Sequence, residues 1–159
     1  MAYMALGRNW WDRKKTDLSS ASIREFNYPY DYNNVTNLWK NAGDGIHLRR
    51  SDEPEEIAKK LQRDPDLFLV AEIHGEIVGT VIGGFDGRRG MMYHLAIAQE
   101  HRKQGIASQL VEELEQRLRA KGCIRYYLMV TRDNEKAIRF YENHGWELME
   151  LFTYAKDLN

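Results

Sequence analysis

The feature that most constrains the fold is a strand–loop–helix segment in the second half of the chain. The run MMYHLAI predicts a strand over residues 91–97, and a short basic loop then leads to Gly105. Beyond this glycine, apolar residues recur at the three- and four-residue spacing of a helix with one buried face, namely Ala107, Leu110, Val111, Leu114 and Leu118. Gly122 suits the C′ position at which such a helix ends. A buried strand followed by an amphipathic helix predicts a layered α/β domain.

The other elements follow from the same two periodicities and from turn residues. Strands are predicted over residues 21–26, 67–73, 77–85 and 125–130, with one or two closing strands over 146–158. Helices are predicted over residues 31–43, 54–64 and 134–145, the second with Pro54 in its first turn. The sequences HGE and DGRRG mark two hairpin turns. This order predicts an α/β sandwich with one mixed, mostly antiparallel sheet flanked by helices.

Length and charge narrow the classes of function. A chain of 159 residues fits one domain, predicted over residues 22–158, with an N-terminal extension over 1–21 that carries Trp10 and Trp11. The 23 basic and 24 acidic residues give a net charge of −1, which argues against nucleic acid or an anionic membrane as partner. We expect no membrane span, no signal peptide and no metal, and a homodimer stays open. The single Cys123 suits a reducing cytoplasm.

The loop before the long helix predicts an anion site. The first amides of a helix have no partner within the helix, and together with the helix dipole they bind phosphate groups. Gly105 allows close approach of the main chain, while Arg102 and Lys103 add positive charge. The pattern Arg102-x-x-Gly105-x-Ala107 matches neither a Walker A loop nor a dinucleotide fingerprint. By itself it is also typical of a solvated turn.

Two segments together carry a family resemblance. YHLAIAQEHRKQGIASQLVEELEQRL, followed by LMVTRDNEKAIRFYENHGWEL, resembles the Gcn5-related N-acetyltransferases. The first holds the R/Q-x-x-G-x-G/A signature, with Ala107 where many relatives have glycine. The second holds an asparagine followed seven residues later by a tyrosine. The resemblance implies a single domain with splayed central strands, which moves an acetyl group from acetyl-coenzyme A to a primary amine of a small molecule or a protein.

The resemblance also implies a set of cofactor-binding residues. The diphosphate would lie on the loop formed by Arg102, Lys103, Gln104, Gly105, Ile106, Ala107 and Ser108. The pantetheine arm would enter between the splayed strands and pair with the main chain of Leu95, Ala96 and Ile97, as an added strand does. Asn134 would contact the coenzyme arm, although an asparagine or Asp133 at this position also suits a helix N-cap.

Tyr141 is the catalytic residue that the resemblance implies. Its hydroxyl would protonate the departing thiolate after direct attack of the amine, with no acyl-enzyme. A main-chain amide of the Leu95 strand would stabilise the oxyanion. A tyrosine between Phe140 and Gly145 would, outside this context, be read as a packing residue.

The general base is left unassigned, because methionines occupy the two positions, Met91 and Met129, where relatives carry acidic residues or histidine. Tyr93 could order a water that carries the proton away. His94 would point to the other face of the strand and pack under a helix, unless a bulge resets the alternation.

The acceptor would meet the stretch AGDGIHLRRSDEPEE, whose residues Asp44, His47, Arg49, Arg50, Asp52 and Glu53 mix both charges and select no clear class of amine. Two other functions stay open. The chain could be a non-catalytic acyl-coenzyme A sensor, a hypothesis favoured by the two methionines. It could also bind nucleic acid through its separate basic clusters, which the neutral net charge argues against.

Overall fold

The computed structural model describes residues 20–43 and 45–158. Its helices and strands, in chain order, are β1 (Ser22–Glu25), α1 (Tyr32–Asn41), α2 (Pro54–Arg63), β2 (Phe68–Ile73), β3 (Glu76–Phe85), β4 (Gly90–Ile97), α3 (Ile106–Ala120), β5 (Tyr126–Tyr127) and α4 (Glu135–Asn143). Short 3-10 turns lie at Arg50–Asp52 and Gln99–His101. The chain divides into two units, residues 1–128 and 129–159, and each is described by itself. Trp10 and Trp11 of the predicted extension lie outside the described residues.

The first unit contains a five-stranded sheet whose strands follow one another in chain order. Strands β1 to β4 pair antiparallel, and β5 joins β4 in parallel. This arrangement confirms the predicted mixed, mostly antiparallel sheet. The β4–β5 ladder has only two pairs, Gly90 with Tyr126 and Met91 with Tyr127, while β4 continues to Ile97. The two strands therefore separate after Met91, as the expected splay requires.

The core of this unit lies around β2 and β3, whose central residues are buried on both faces. Helix α3 contributes Leu110, Leu114 and Leu118, each almost fully buried, at the spacing from which the helix was predicted. From α1, Val35 and Trp39 are equally buried. The periodic apolar face of each helix thus explains why these segments fold as helices against the sheet.

Gly122 follows α3 with φ +84°, as the predicted C′ position demands. Cys123, which follows Gly122, is buried. Among the described residues, no helix has both the length and the apolar character needed to cross a lipid bilayer.

The second unit contains α4, which begins after Asn134 and ends before Gly145, close to its predicted bounds. The prediction of one or two closing strands over residues 146–158 is wrong, because this segment forms no strand in the structure. Its apolar residues Leu148, Leu151 and Phe152 are exposed, so the apolar content that suggested a strand does not face a core. The strand predicted over 125–130 is likewise shortened, to Tyr126–Tyr127, which pair with Gly90 and Met91 of β4.

Candidate functional site

The loop before α3 is shaped by one left-handed residue. Gly105 is the N-cap of α3 with φ +80°, a conformation that glycine adopts without strain. No atom lies within 4 Å of the position that a Cβ on Gly105 would occupy, so the space beside it is open. The amide of Gln109 donates to the carbonyl of Gly105 at 3.1 Å. Among the described residues, no hydrogen bond uses the amides of Ile106 or Ala107, which leaves them able to hold an anion.

The basic side chains of this loop have different surroundings. Arg102 donates from Nε to the carbonyl of Ile97 at 3.1 Å and from Nη2 to the carbonyl of Ala42 at 2.6 Å. Its guanidinium therefore connects the loop by hydrogen bonds to β4 and to the end of α1. Lys103 and Gln104 are exposed, and Lys103 has φ +61°. The positive charge predicted here is present, but Arg102 contributes mainly by holding the loop in place.

The hydrogen-bond pattern of β4 determines which main-chain groups face the β5 side. The amide of Ala98 donates to the carbonyl of Val78 at 2.8 Å, so this pair is hydrogen-bonded in the antiparallel ladder. Because hydrogen-bonded and non-hydrogen-bonded pairs alternate, Ala96 bonds to Thr80 of β3 while Ile97 directs its main-chain groups away from β3. The main-chain groups of Ile97 are thus candidates for pairing with a ligand. So are those of Leu95, which lies at a bulge in β4.

A bulge interrupts β4 next to this edge. Thr80 pairs with Ala96 and Ile82 with Tyr93, so β4 has one residue more than β3 between these pairs. His94 lies in this interval and has φ +47°. A bulge locally disrupts the ladder and re-aims side chains. The sequence predicted that His94 would follow the alternation of the strand unless a bulge intervened. That bulge is present, so the side chain of His94 need not follow the alternation.

The side chain of His94 reaches the loop between α1 and α2. Its Nε2 lies 2.7 Å from Oδ1 of Asp52, and its ring contacts Trp39 at 4.7 Å between ring centroids. Thr80 connects the two aromatic residues, because it accepts from Trp39 Nε1 at 2.9 Å and donates to the carbonyl of His94 at 3.1 Å. Sequence reasoning considered His94 and Asp52 separately; their 42-residue separation gave no signal that they form a pair.

Tyr93 and Met91 are the two other β4 residues that bear on the proton route. Tyr93 is 43% exposed, and partial burial raises the pKa of its hydroxyl. Met91 is partly buried and pairs with both β3 and β5. Neither residue is hydrogen-bonded to the His94–Asp52 pair.

The predicted acceptor stretch supplies one buried carboxylate. Asp52 is only 8% exposed, whereas Arg49, Arg50 and Glu53 are exposed. The amide of Arg49 donates to Asp52 Oδ2 at 2.9 Å. Asp52 is therefore bound from two sides and does not present a free carboxylate to solvent. His47 is exposed, and Asp44 lies outside the described residues.

In the second unit, Asn134 and Tyr141 lie on the same helix. Asn134 is the N-cap of α4, and its Oδ1 accepts the amide of Ala137 at 3.2 Å. The capping alternative is thus realised in the structure, with the side-chain NH2 group left for other contacts.

Tyr141 packs edge-on against Phe140 and Trp146, with ring centroids 5.3 and 5.6 Å away. Burial raises the pKa of its hydroxyl to about 12, so the phenol stays protonated at neutral pH. Met129 is exposed.

Comparison with known proteins gives consistent matches. The sequence model of the acetyltransferase (GNAT) family matches residues 32–146. An acetyltransferase from Pectobacterium atrosepticum is 44% identical over 129 residues, covering 80% of this chain and 89% of that protein. An acetyltransferase from Yersinia pestis is 40% identical over 129 residues, with the same coverage of 80% and 89%.

Solved structures share the fold at lower identity. The PaiA N-acetyltransferase from Thermoplasma acidophilum, in complex with coenzyme A, superimposes with a TM-score of 0.73 at 19% identity, covering 84% of this chain and 93% of that one. The structure of AAC(6')-Iy in complex with a bisubstrate analogue gives a TM-score of 0.69 at 18% identity, covering 89% of this chain and 100% of that one. At these identities the likeness concerns the fold alone.

Proposed function

The chain belongs to the acetyltransferase (GNAT) family, and from that premise we propose that it transfers the acetyl group of acetyl-coenzyme A to a primary amine. The observation that carries this proposal is the left-handed Gly105 at the start of α3, beside the strand edge that β5 leaves uncovered. These two features lie in one unit and are joined by Arg102, which bonds to the carbonyl of Ile97.

The residues of the loop fit the diphosphate of the coenzyme. The space beside Gly105 is open, and the amides of Ile106 and Ala107 lie at the positive end of the α3 dipole. Lys103 adds a solvent-exposed cation. We therefore assign the diphosphate to residues 102–108, with the main-chain amides as its principal ligands.

The uncovered edge of β4 fits the pantetheine arm. Ile97 directs its main chain away from β3, and its carbonyl is already bound by Arg102, so its amide is the group that remains for a ligand. Leu95 lies in the bulge, where the regular ladder is disrupted. We propose that the amide of Leu95 receives the charge that develops on the acetyl oxygen. Ala96 lies between these two residues and bonds to β3.

Tyr141 is the residue to which we assign the acid role. When bound, the coenzyme supplies an acetyl group activated as a thioester. A departing thiolate needs a proton donor, and a phenol whose pKa is raised to about 12 remains a donor throughout the physiological range. We propose that Asn134, besides capping α4, contacts the coenzyme arm through its NH2 group. Both assignments follow the family resemblance of the segment over 134–145.

The acceptor is assigned only as a primary amine. With Asp52 bound to His94, the described part of the α1–α2 loop exposes the charges of Arg49, Arg50 and Glu53, which favour neither a cationic nor an anionic acceptor. The cytoplasm is the compartment that suits the proposal, because a single cysteine fits a reducing environment.

The test is an assay of free thiol released from acetyl-coenzyme A, run against a panel of amines. The panel would contain spermidine, an aminoglycoside, free lysine and peptides with a free α-amine. We expect turnover with at least one of them and binding of acetyl-coenzyme A by calorimetry. Binding without turnover on any amine would favour a sensor, and absence of binding would overturn both the activity and the assigned loop.

A further inference from the structure

The pair formed by His94 and Asp52 has no role in the function proposed so far. We propose that His94 is the general base of the reaction, accepting the proton of the amine at Nδ1, and that Asp52 is the positioning residue that holds its imidazole. This inference rests on the proposed acetyl transfer. It supplies the proton acceptor that Met91 and Met129 cannot provide.

The hydrogen bond to Asp52 determines which ring nitrogen of His94 is free. Nε2 lies 2.7 Å from Oδ1 of a carboxylate, which can only accept, so Nε2 carries the proton. In a neutral imidazole the lone pair is then on Nδ1. Among the described residues, no hydrogen bond engages Nδ1 of His94. The nitrogen that can take a proton is thus the one without a partner.

Asp52 is held rigidly enough to orient the ring. Its carboxylate is bound at Oδ2 by the amide of Arg49 at 2.9 Å, and its main-chain carbonyl accepts from the hydroxyl of Tyr32 at 2.9 Å. Its side chain is 9% exposed. A buried carboxylate with both oxygens engaged holds the imidazole in one tautomer and stabilises the imidazolium that forms when the base is protonated.

Two uncharged residues also contact His94. Trp39 packs against it from α1, and Thr80 binds the His94 carbonyl from β3. Asp52 is the charged group that bonds to the ring. The His94 side chain is nevertheless 22% exposed, so solvent or an acceptor can reach it. A base must be both oriented and accessible, and His94 satisfies both conditions.

The position of His94 along the chain places it next to the proposed oxyanion donor. It directly precedes Leu95, and both lie in the interval of the β4 bulge. The bulge gives His94 φ +47° and turns its side chain towards the α1–α2 loop, where the acceptor is expected. One local irregularity thus brings a proton acceptor and a polarising amide to adjacent residues.

The nitrogen of the neutral amine forms a bond to the acetyl carbon, and the carbon–sulfur bond breaks with its electron pair going to sulfur. The surplus proton on nitrogen passes to Nδ1 of His94, and the sulfur takes a proton from the acid assigned above. His94 then releases its proton to solvent, and the acid regains one from solvent, so the net products are an amide and a free thiol.

A purely structural role is the competing explanation, since the pair also ties β4 to the α1–α2 loop. The variant His94→Gln separates the two, because glutamine keeps an NH group that can bond to Asp52 but cannot act as a base. His74→Gln is its matched control: His74 lies in the exposed β2–β3 turn with φ +50°, close to the +47° of His94.

The measurement is kcat and KM, with the amine of the panel that wild type turns over fastest. We expect His94→Gln to lower kcat by roughly 10²-fold or more, with acetyl-coenzyme A affinity unchanged. We expect Asp52→Asn to lower kcat more than it raises KM and His74→Gln to behave as wild type. A His94→Gln enzyme with wild-type kcat would overturn the proposal.

A second measurement needs no variant. The nitrogen shifts of His94 in wild-type protein, read by NMR, should show the proton on Nε2 and the lone pair on Nδ1. A proton on Nδ1 in the neutral ring would also overturn the assignment, even if His94→Gln failed to fold. If wild type turns over no amine of the panel, the proposed acetyl transfer itself fails, which is a different outcome from turnover that does not depend on His94.

Discussion

Gly90 and Tyr126 are paired so closely in the two-residue ladder between β4 and β5 that no side chain fits on the glycine. A Cβ at Gly90 would lie 2.7 Å from Cβ of Tyr126 and 3.0 Å from Sγ of Cys123. The Cβ of a tyrosine is fixed by its backbone, so it cannot move away as a flexible chain end can. This contact holds β5 at the point from which β4 diverges.

We therefore expect Gly90→Ala to weaken the attachment of β5 to the sheet. Over-packing of this kind costs about 1–3 kcal/mol of unfolding free energy, measurable by urea denaturation. Gly84→Ala is the control, because a Cβ there would meet its nearest atoms at an ordinary 3.8 Å. A Gly90→Ala protein as stable as Gly84→Ala would show that β5 can shift without cost.

Gly105→Ala should weaken acetyl-coenzyme A binding beyond its effect on stability. An alanine at φ +80° is strained by roughly 1–2 kcal/mol, which would pull the loop away from the conformation that exposes the α3 amides. Calorimetric titration with acetyl-coenzyme A measures the change as an increase in Kd.

Gly122 provides a matched control for this variant at the other end of α3. It has φ +84° and, like Gly105, no atom within 4 Å of a built Cβ. The backbone cost of Gly122→Ala should therefore equal that of Gly105→Ala, while coenzyme affinity stays at the wild-type level. Equal loss of affinity in both variants would mean that the loop around Gly105 is not the diphosphate site.

The elements of this fold that sequence predicts well are those with a strong local pattern. Helix α3 was predicted from its apolar spacing, Gly105 and Gly122, and the structure places it at Ile106–Ala120. The β2–β3 hairpin followed from the glycine in its turn. In both cases the information lies within a few residues, because periodicity and turn chemistry are local properties.

The features that sequence did not predict depend on distant partners. The length of β5 is set by where β4 diverges, and the RYYLMV pattern contains no information about that. The bond between His94 and Asp52 joins residues 42 positions apart and depends on a bulge of one residue in β4. Strand alternation alone predicts that His94 packs under a helix on the other face of the strand. The bulge is what directs its side chain to the α1–α2 loop.

Tyr141→Phe should lower kcat with little change in acetyl-coenzyme A affinity. Loss of a general acid typically costs on the order of 10²-fold or more in rate, whereas the ring and its packing against Phe140 and Trp146 are kept. Tyr154→Phe is the control, because Tyr154 is exposed. Unchanged kcat in Tyr141→Phe would remove the acid role of Tyr141.

The same variant predicts a difference in alkaline stability. The pKa of Tyr141 is raised from 10.0 to about 12 in the folded protein by burial, so its contribution to stability is complete below pH 10. Above pH 10 the unfolded tyrosine loses its proton first, and the contribution is lost as pH rises towards 12. Denaturation of both proteins over this range should show a smaller decline for Tyr141→Phe, and parallel declines would contradict the raised pKa.

Thr80→Val should destabilise the protein because the Thr80 hydroxyl satisfies two groups at once. It accepts from Trp39 Nε1 and donates to the carbonyl of His94, in a site where Thr80 has no exposed surface. Valine has nearly the same shape but leaves the buried indole NH without an acceptor, which costs about 1–3 kcal/mol.

Thr80→Ser keeps the hydroxyl and loses only a methyl group, so it separates the hydrogen bonds from packing. We expect denaturation to show a smaller loss for serine than for valine. Because the same hydroxyl fixes the carbonyl of His94, Thr80→Val should also lower kcat, whereas Thr80→Ser should retain most of it. If valine is tolerated as well as serine in both measurements, the hydroxyl does not hold the bulge, and the orientation of His94 must depend on Asp52 and Trp39 alone.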